Sequence, residues 1–291
     1  PVYAARSGKY LILIKLSVIS GAELPPEKNI RARQPGNNQR KRDGLMCGIC
    51  GQVSFTTDLS KYESSFYNMQ NKLYSRGPDQ HGEFFSQDAV LMHRRLAVVD
   101  IERGRQPMTY AVDGAVFTLC YNGELYNTDE IRNMLESRGY NFFSHSDTEV
   151  VLKAYVEYRE KCVELFNGIF AFAVWEHESK RLFVARDRMG VKPLFYSMCK
   201  SGFVFASEIK ALLEHPEIEP IMDSHSLSEI MLIGPGRTPG CGVFKNIYEI
   251  RPAHYAIFDD TGLTIHRYWN VEAHEHTDSF EQTVEKVRYL V

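Results

Sequence analysis

Met46-Cys47-Gly48-Ile49-Cys50-Gly51 holds the residue best equipped for covalent chemistry. An initiator methionine ahead of a small residue is trimmed, which would leave Cys47 with a free α-amine beside its thiol. That amine, with a pKa of roughly 7.7–8, is a base poised near neutral pH. A thiol served by its own amine needs no separate histidine. The plain alternative is an ordinary cysteine after an internal methionine. Attack by a thiol on an acyl carbon builds a tetrahedral oxyanion, which needs preorganised donors. Asn122-Gly123 offers a side-chain amide and an unobstructed backbone N–H side by side. The same dipeptide is also the strongest short signal for a β-hairpin turn.

The elements that must carry these residues follow from periodicity. Residues 51–55 alternate like a strand leaving the cysteine. Leu59, Tyr62, Phe66, Met69 and Leu73 fall at helical spacing, in a helix that ends before Arg76. A second helix is expected over residues 128–138, with Ile131, Met134 and Leu135 inward and Gly139 as its stop. Ser146-x-x-Glu149 has the form of a capping box opening a third helix through Tyr158. Residues 170–175, 181–185, 194–196 and 203–206 are short β-rich runs separated by turns, with Phe170, Phe172 and Trp175 read as core. Strands in a meander, with helices set apart, argue for an α+β fold.

Composition bounds the class. With 44% hydrophobic and 24% charged residues the chain is of soluble globular type. The six cysteines form one CxxC, where a zinc ribbon wants two and a disulfide scaffold is shorter and denser. A redox CxxC would follow a strand in a βαβ unit, which is not evident here. A reducing cytoplasm is therefore the expected setting. A net charge of −3 argues against nucleic-acid binding. Residues 1–46 carry +6, leaving −9 on the rest. The apolar run at residues 11–19 is interrupted by Lys15 and too short to span a bilayer, so no membrane partner is expected. Residues 31–42 are polar and basic, a composition expected to be disordered. Three readings of residues 1–46 compete: a pro-segment, a targeting segment, or translation from upstream of the true start at Met46. We favour the last, because the chain begins with Pro1 and Lys41-Arg42-Asp43-Gly44 can be encoded by a purine-rich run such as a ribosome-binding site.

Six further motifs follow Cys47 in order. They are Arg76-Gly-Pro-Asp79, His93-Arg-Arg-Leu-Ala-Val-Val-Asp100, Tyr121-Asn-Gly-Glu-Leu-Tyr-Asn127, Ser146-Asp-Thr-Glu149, Arg186-Asp-Arg-Met-Gly-Val-Lys-Pro-Leu194 and Ala206-Ser-Glu-Ile-Lys-Ala-Leu212. Together they closely resemble the glutaminase half of the glutamine-hydrolysing asparagine synthetases, which are class II amidotransferases. The resemblance runs to about Trp269.

That resemblance implies a four-layer αββα sandwich of the N-terminal-nucleophile hydrolase type. It makes Cys47 the nucleophile and Asn122 and Gly123 the oxyanion donors. It makes Arg95 the partner of the glutamine carboxylate, with Leu96 and Val98 of the same strand lining the pocket through main chain. Arg94 should point to the opposite face. Asp147 and Glu124 correspond to the acids that hold the substrate ammonium, although Asp147 is also a first-turn acid suited to a helix dipole. The 76–79 loop is assigned a turn and no catalytic step. Asp187, Lys192, Ser207 and Glu208 fall either near a domain interface or in ordinary fold roles. No metal or cofactor is expected in the glutaminase domain.

One departure qualifies the resemblance. The family's second half adenylates aspartate around a Ser-Gly-Gly-Leu-Asp-Ser pyrophosphate loop, which is absent from these 291 residues. The expected division is residues 1–46 as a leader, 47–240 as the glutaminase domain, and 241–291 as a connecting segment and the start of a second, truncated α/β domain. The chain is thus expected to be a fragment whose partners are glutamine here and aspartate, ATP and Mg²⁺ in the absent half. The resemblance also allows a homodimer. A sister amidotransferase with another carboxylate acceptor, or a non-catalytic domain with a blocked nucleophile, are the alternatives.

Overall fold

Two strands are buried along their whole length and must be covered on both faces: Gly48–Val53 and Ala89–Arg95. The computed structural model, which describes residues 2–7, 10–15, 46–96, 100, 103–233, 236–273 and 275–290, shows how that cover is supplied. In chain order the elements are β1 (Val2–Ser7), β2 (Tyr10–Lys15), β3 (Gly48–Val53), α1 (Glu63–Lys72), β4 (Gln80–Phe85), β5 (Ala89–Arg95), β6 (Met108–Val112), β7 (Ala115–Leu125), α2 (Thr128–Glu136), α3 (Asp147–Tyr158) and α4 (Cys162–Leu165). They continue with β8 (Gly168–Glu176), β9 (Arg181–Arg186), β10 (Phe195–Cys199), β11 (Gly202–Ala206), α5 (Ile209–Leu212), α6 (Ser224–Ile233), β12 (Ile247–Glu249), β13 (His254–Asp259), β14 (Gly262–Arg267) and α7 (Phe280–Leu290).

Two six-stranded antiparallel sheets result, in the orders β12-β10-β11-β3-β5-β4 and β14-β13-β9-β8-β7-β6; among the described residues β1 and β2 pair only with each other. Period-2 alternation sorts the side chains between layers. On β8, Ala171, Ala173 and Trp175 join a core with Ile49, Val53, Leu91 and Phe205 of the other sheet. Phe170, Phe172 and Val174 face outward onto Val151, Tyr155, Val163 and Phe166 of α3 and its neighbours. Across the molecule, Cys50, Val90 and Met92 meet Phe66 and Met69 of α1 and Leu212 of α5. The layers therefore run helix, sheet, sheet, helix, and the expected α+β sandwich is observed.

Four expectations shift. The first strand begins at Gly48, three residues early, so the CxxC lies at a strand start. The first helix opens as a 3-10 turn at Leu59–Tyr62, where Asp58 accepts from the Ser60 N–H, before α1 proper. Ser146 does cap α3, accepting from the Thr148 N–H, but Glu149 does not return the favour. Its carboxylate is buried, accepts from the Phe143 and Ser144 N–H groups, and pairs with Lys153 at 2.5 Å, tying down the loop before the helix. Finally, the boundary expected near residue 240 moves. Strand β12 pairs with β10 and β13 pairs with β9, so residues 247–267 extend both sheets instead of connecting to another unit. The stretch at 31–42 lies outside the described residues.

Gly51 shows how tightly β3 is held. A Cβ there would stand 2.2 Å from the Val90 carbonyl oxygen and 2.8 Å from the Phe205 ring. Gly51→Ala should therefore cost about 1–3 kcal/mol, the usual range for overpacking a core. Urea unfolding checks this; an unchanged midpoint would show that the sheets can part at β3.

Candidate active site

Cys47 stands at the entry to β3, half-buried, and its sulfur is fastened to the end of β5. The Leu96 N–H donates to Sγ at 3.4 Å, and Sγ lies 3.8 Å from the Leu96 carbonyl oxygen. Burial pushes the thiol pKa up, opposed by that N–H and by the charges of Arg95 and Lys192. At neutral pH the sulfur therefore rests as a thiol and needs a base. His93 is not that base. It is fully buried, bonds the Tyr121 carbonyl through Nε2 at 3.1 Å, and burial lowers its pKa to about 3.

The second component is an unpaired strand edge. Among the described residues strand β6 pairs only with residues 115–119 of β7, so β7 outruns its neighbour from Cys120 to Leu125. Alternate amides of that overhang point off the sheet. The Tyr121 N–H is taken by Gln106 Oε1 at 2.6 Å and the Leu125 N–H by Asp147 Oδ2 at 3.2 Å. Gly123 lies between them. Its register partner Phe170 turns its own N–H and carbonyl away, to Asp187. The Gly123 N–H is thus directed at the same open edge, between two amides that are satisfied. Beside it, Asn122 is 1% exposed, and its Nδ2 has no hydrogen-bond partner among the described residues. A buried amide donor without a partner costs stability of about 1–3 kcal/mol, so its retention marks a position awaiting an acceptor. Asn-Gly is therefore strand, not hairpin turn.

Both sets of residues line one cavity of about 420 Å³, together with Arg95, Leu96, Glu124 and Asp147. Arg95 enters from the end of β5. Its guanidinium donates to Gln80 Oε1 at 2.7 Å and to the Asp100 carbonyl at 2.9 Å. Arg94 points the other way, to Asn71 and the Gln70 carbonyl of α1, as alternation requires. Leu96 lies just past β5 instead of within it, and Val98 lies outside the described residues. Asp147, the first residue of α3, accepts from the Tyr121 hydroxyl at 2.9 Å as well as from Leu125. Burial still leaves its pKa raised. Helix-start acid and cavity acid are here the same residue. Glu124, next on β7, is exposed at the cavity rim.

Two cations beside Cys47 received no catalytic or binding role from the sequence. Arg76 Nε donates to the Cys47 carbonyl at 2.8 Å while Nη1 pairs with Glu208 at 3.0 Å. The 76–79 turn is more than a turn: a Cβ on Gly77 would sit 2.4 Å from the Arg94 carbonyl, so the chain passes β5 at a distance only glycine allows. Lys192 reaches into the cavity, with Nζ 3.0 Å from Met46 Sδ. Asp187 fixes the turn that delivers it, accepting from the Met189, Val191 and Lys192 N–H groups. Ser207 holds the start of β3, accepting from the Ile49 N–H at 3.0 Å. The signal was present in the Arg-Asp-x-x-Gly-x-Lys run, but nothing local says which strand it abuts. Elsewhere, His225, Glu229 and Cys241 bring ligand-type atoms within 4.8 Å of one another. None of them lines the cavity, and Glu229 already accepts from the Thr238 N–H. No helix among the described residues is long and apolar enough to cross a membrane.

The chain matches the glutamine amidotransferase domain family over residues 46–269. It is 52% identical over 245 residues to the glutamine-hydrolyzing asparagine synthetase 3 of Bacillus subtilis (strain 168), a match covering 84% of this chain and 40% of that protein. It is 31% identical over 247 residues to asparagine synthetase 1 of the same organism, covering 84% of this chain and 38% of that protein. Among solved structures, glutamine phosphoribosylpyrophosphate amidotransferase from B. subtilis is 18% identical, with a TM-score of 0.51, covering 77% of this chain and 49% of that one; it shares the fold. The chain spans about two fifths of the length of these curated relatives.

The raised pKa of Asp147 has a signed consequence. A carboxyl titrating above its unfolded value of about 3.9 takes up its proton more readily when folded. Wild type should therefore gain stability over Asp147→Asn as pH falls from the folded pKa towards about 4, by at most about 1.4 kcal/mol per pH unit. Paired denaturant titrations across that window measure it. A difference that shrinks on acidification would mean the carboxylate is stabilised, not stressed, by its site.

Proposed function

This chain belongs to the glutamine amidotransferase family, and we propose that it hydrolyses glutamine to glutamate and ammonia with Cys47 as its nucleophile. The observation that carries the reading is the pair of unspent donors, Asn122 Nδ2 and Gly123 N–H, facing the same cavity as a thiol. Released from Met46, the α-amine of Cys47 is the base that the resting thiol lacks. Sγ attacks the side-chain carbonyl carbon as its proton passes to the amine, and the new oxyanion accepts from Asn122 and Gly123. Collapse breaks the C–N bond; the α-ammonium returns the proton to the leaving nitrogen, and ammonia departs. Water then attacks the thioester, losing its proton to the amine, and glutamate is freed from the regenerated thiol. Arg95, with its planar fork, receives the glutamine carboxylate. Asp147 and Glu124 receive the ammonium, and the Leu96 main chain borders the pocket.

We further propose that the whole protein passes this ammonia to an aspartyl-adenylate, giving asparagine, AMP and pyrophosphate. The names of the relatives support this, and so does the unmatched three fifths of their length. ATP and Mg²⁺ would act there; no step is assigned to them on residues of this chain. The unpaired state of all six cysteines supports a reducing, cytoplasmic setting.

A chain beginning at Cys47 should release glutamate from glutamine, and Cys47→Ala should abolish it. Asn122→Ala should lower kcat by about 10²–10³. Arg95→Ala should mainly raise KM, by roughly 10–100-fold, because its contact is made equally in ground and transition states. Glutamate release by the Cys47→Ala chain at the wild-type rate would end the proposal. Chains retaining Met46 should be nearly inactive, since the nitrogen of Cys47 is then an amide and Met46 occupies the cavity.

A further inference from the structure

We propose that Lys192 is a positioning residue whose buried charge tunes the Cys47 N-terminus, keeping its α-amine neutral and its sulfur ready to ionise at neutral pH. The inference rests on the nucleophile reading above and assigns a task to a side chain that reading leaves idle.

The argument is geometric. Lys192 is only 8% exposed. Its Nζ lies 3.0 Å from the sulfur of Met46, the residue bonded to the nitrogen of Cys47. Removing Met46 leaves that ammonium facing the new α-amine across the vacated space. Among the described residues no carboxylate forms an ion pair with it, whereas Arg76 is matched by Glu208. The backbone that carries the side chain is held in place. The Lys192 N–H is held by Asp187, and its carbonyl accepts from Arg186 Nε at 2.7 Å. The 187–192 turn is thus anchored at both ends, and Lys192 is its cation that lines the cavity.

The charges that face Cys47 come from five elements. Lys192 comes from this turn, Arg76 from the loop after α1, Arg95 from β5, Asp147 from α3 with the titratable His145 just before it, and Glu124 from β7 with the titratable Tyr121. Of the cations, Arg95 is committed to Gln80 and Asp100 and is the partner left for a substrate carboxylate. Arg76 is spent on the Cys47 carbonyl and Glu208. Lys192 is the cation whose Nζ touches Met46, the residue bonded to the Cys47 nitrogen. A like charge disfavours the ammonium form and favours a thiolate. Both effects push the onset of activity to lower pH. Arg95 and Lys192 are already the charges that oppose the burial of the thiol, and Lys192 is itself held below its ordinary value, first by burial and then by Arg76.

The test is the pH profile of kcat/KM for glutamine, from about pH 5.5 to 9.5, in a chain that begins at Cys47. Such a chain keeps every residue of the three core clusters. Lys192→Met and Lys192→Gln should move the acidic limb up by roughly one pH unit, with activity recovering at high pH, while Lys192→Arg leaves the limb in place. Thermal unfolding identifies any variant that fails to fold. The pH dependence of Cys47 alkylation by iodoacetamide supplies a second, substrate-free reading on the folded ones, and it should shift in the same direction. An unmoved limb in a folded Met or Gln variant overturns the proposal, as does an Arg variant that behaves like Met. Inactivity of Cys47→Ala alongside an unmoved limb defeats this inference alone; activity of Cys47→Ala defeats the nucleophile reading beneath it.

Discussion

A strand that outruns its neighbour is the constraint on which this site depends. Backbone donors exposed at a sheet edge must find partners, and natural edges are normally covered or blunted. Here β7 extends beyond β6, and the protein covers the overhang selectively. Gln106 caps Tyr121, Asp147 caps Leu125, and the amide between them is left to the cavity. The covering groups are themselves fixed: Gln106 donates to Thr148 at 3.2 Å, and Asp147 begins a helix whose preceding loop is tied by Glu149 and Lys153. A pair of donors held this way needs no reorganisation when an oxyanion forms, which is where electrostatic catalysis gains most.

The second sheet supplies the complementary half. Cys47 is fixed at the entrance to β3 because Ser207, Arg76 and Leu96 each hold a backbone or sulfur atom there. The two halves are joined through the middle of the sandwich, where His93 of β5 reaches the Tyr121 carbonyl of β7. Nucleophile and donors are therefore parts of one packed core. Distance between them is set by sheet-to-sheet packing and not by loop conformation.

Much of this was legible in the residues. Helical spacing placed α1 and α2, a capping signal opened α3, β-rich runs between turns placed β8 through β11, and the ordered motifs pointed to Cys47, Arg95, Asn122, Gly123 and Asp147, which one cavity does bring together. What sequence could not show is long-range. Strand β12 is three residues long and β13 follows a turn, so nothing local reveals that they extend the sheets begun by β3 and β6. Asn122-Gly123 carries a hairpin signal that pairing with Ala171 and Phe170 overrides. Glu149 sits at the correct spacing for a capping box, yet a buried lysine one turn on is the better partner. Lys192 belongs to a recognisable motif, but its role depends on contact with a residue 146 positions away.

The central claim is that a free Cys47 N-terminus forms the covalent bond to substrate. Acid-quenched peptide mass spectrometry during turnover tests it most directly. Chains supplied with glutamine are stopped within the reaction, digested, and searched for a glutamyl thioester. The expected result is an adduct confined to the peptide whose first residue is Cys47, and none on the same peptide extended by Met46. An adduct on another residue, or one formed equally on molecules retaining Met46, would contradict the account.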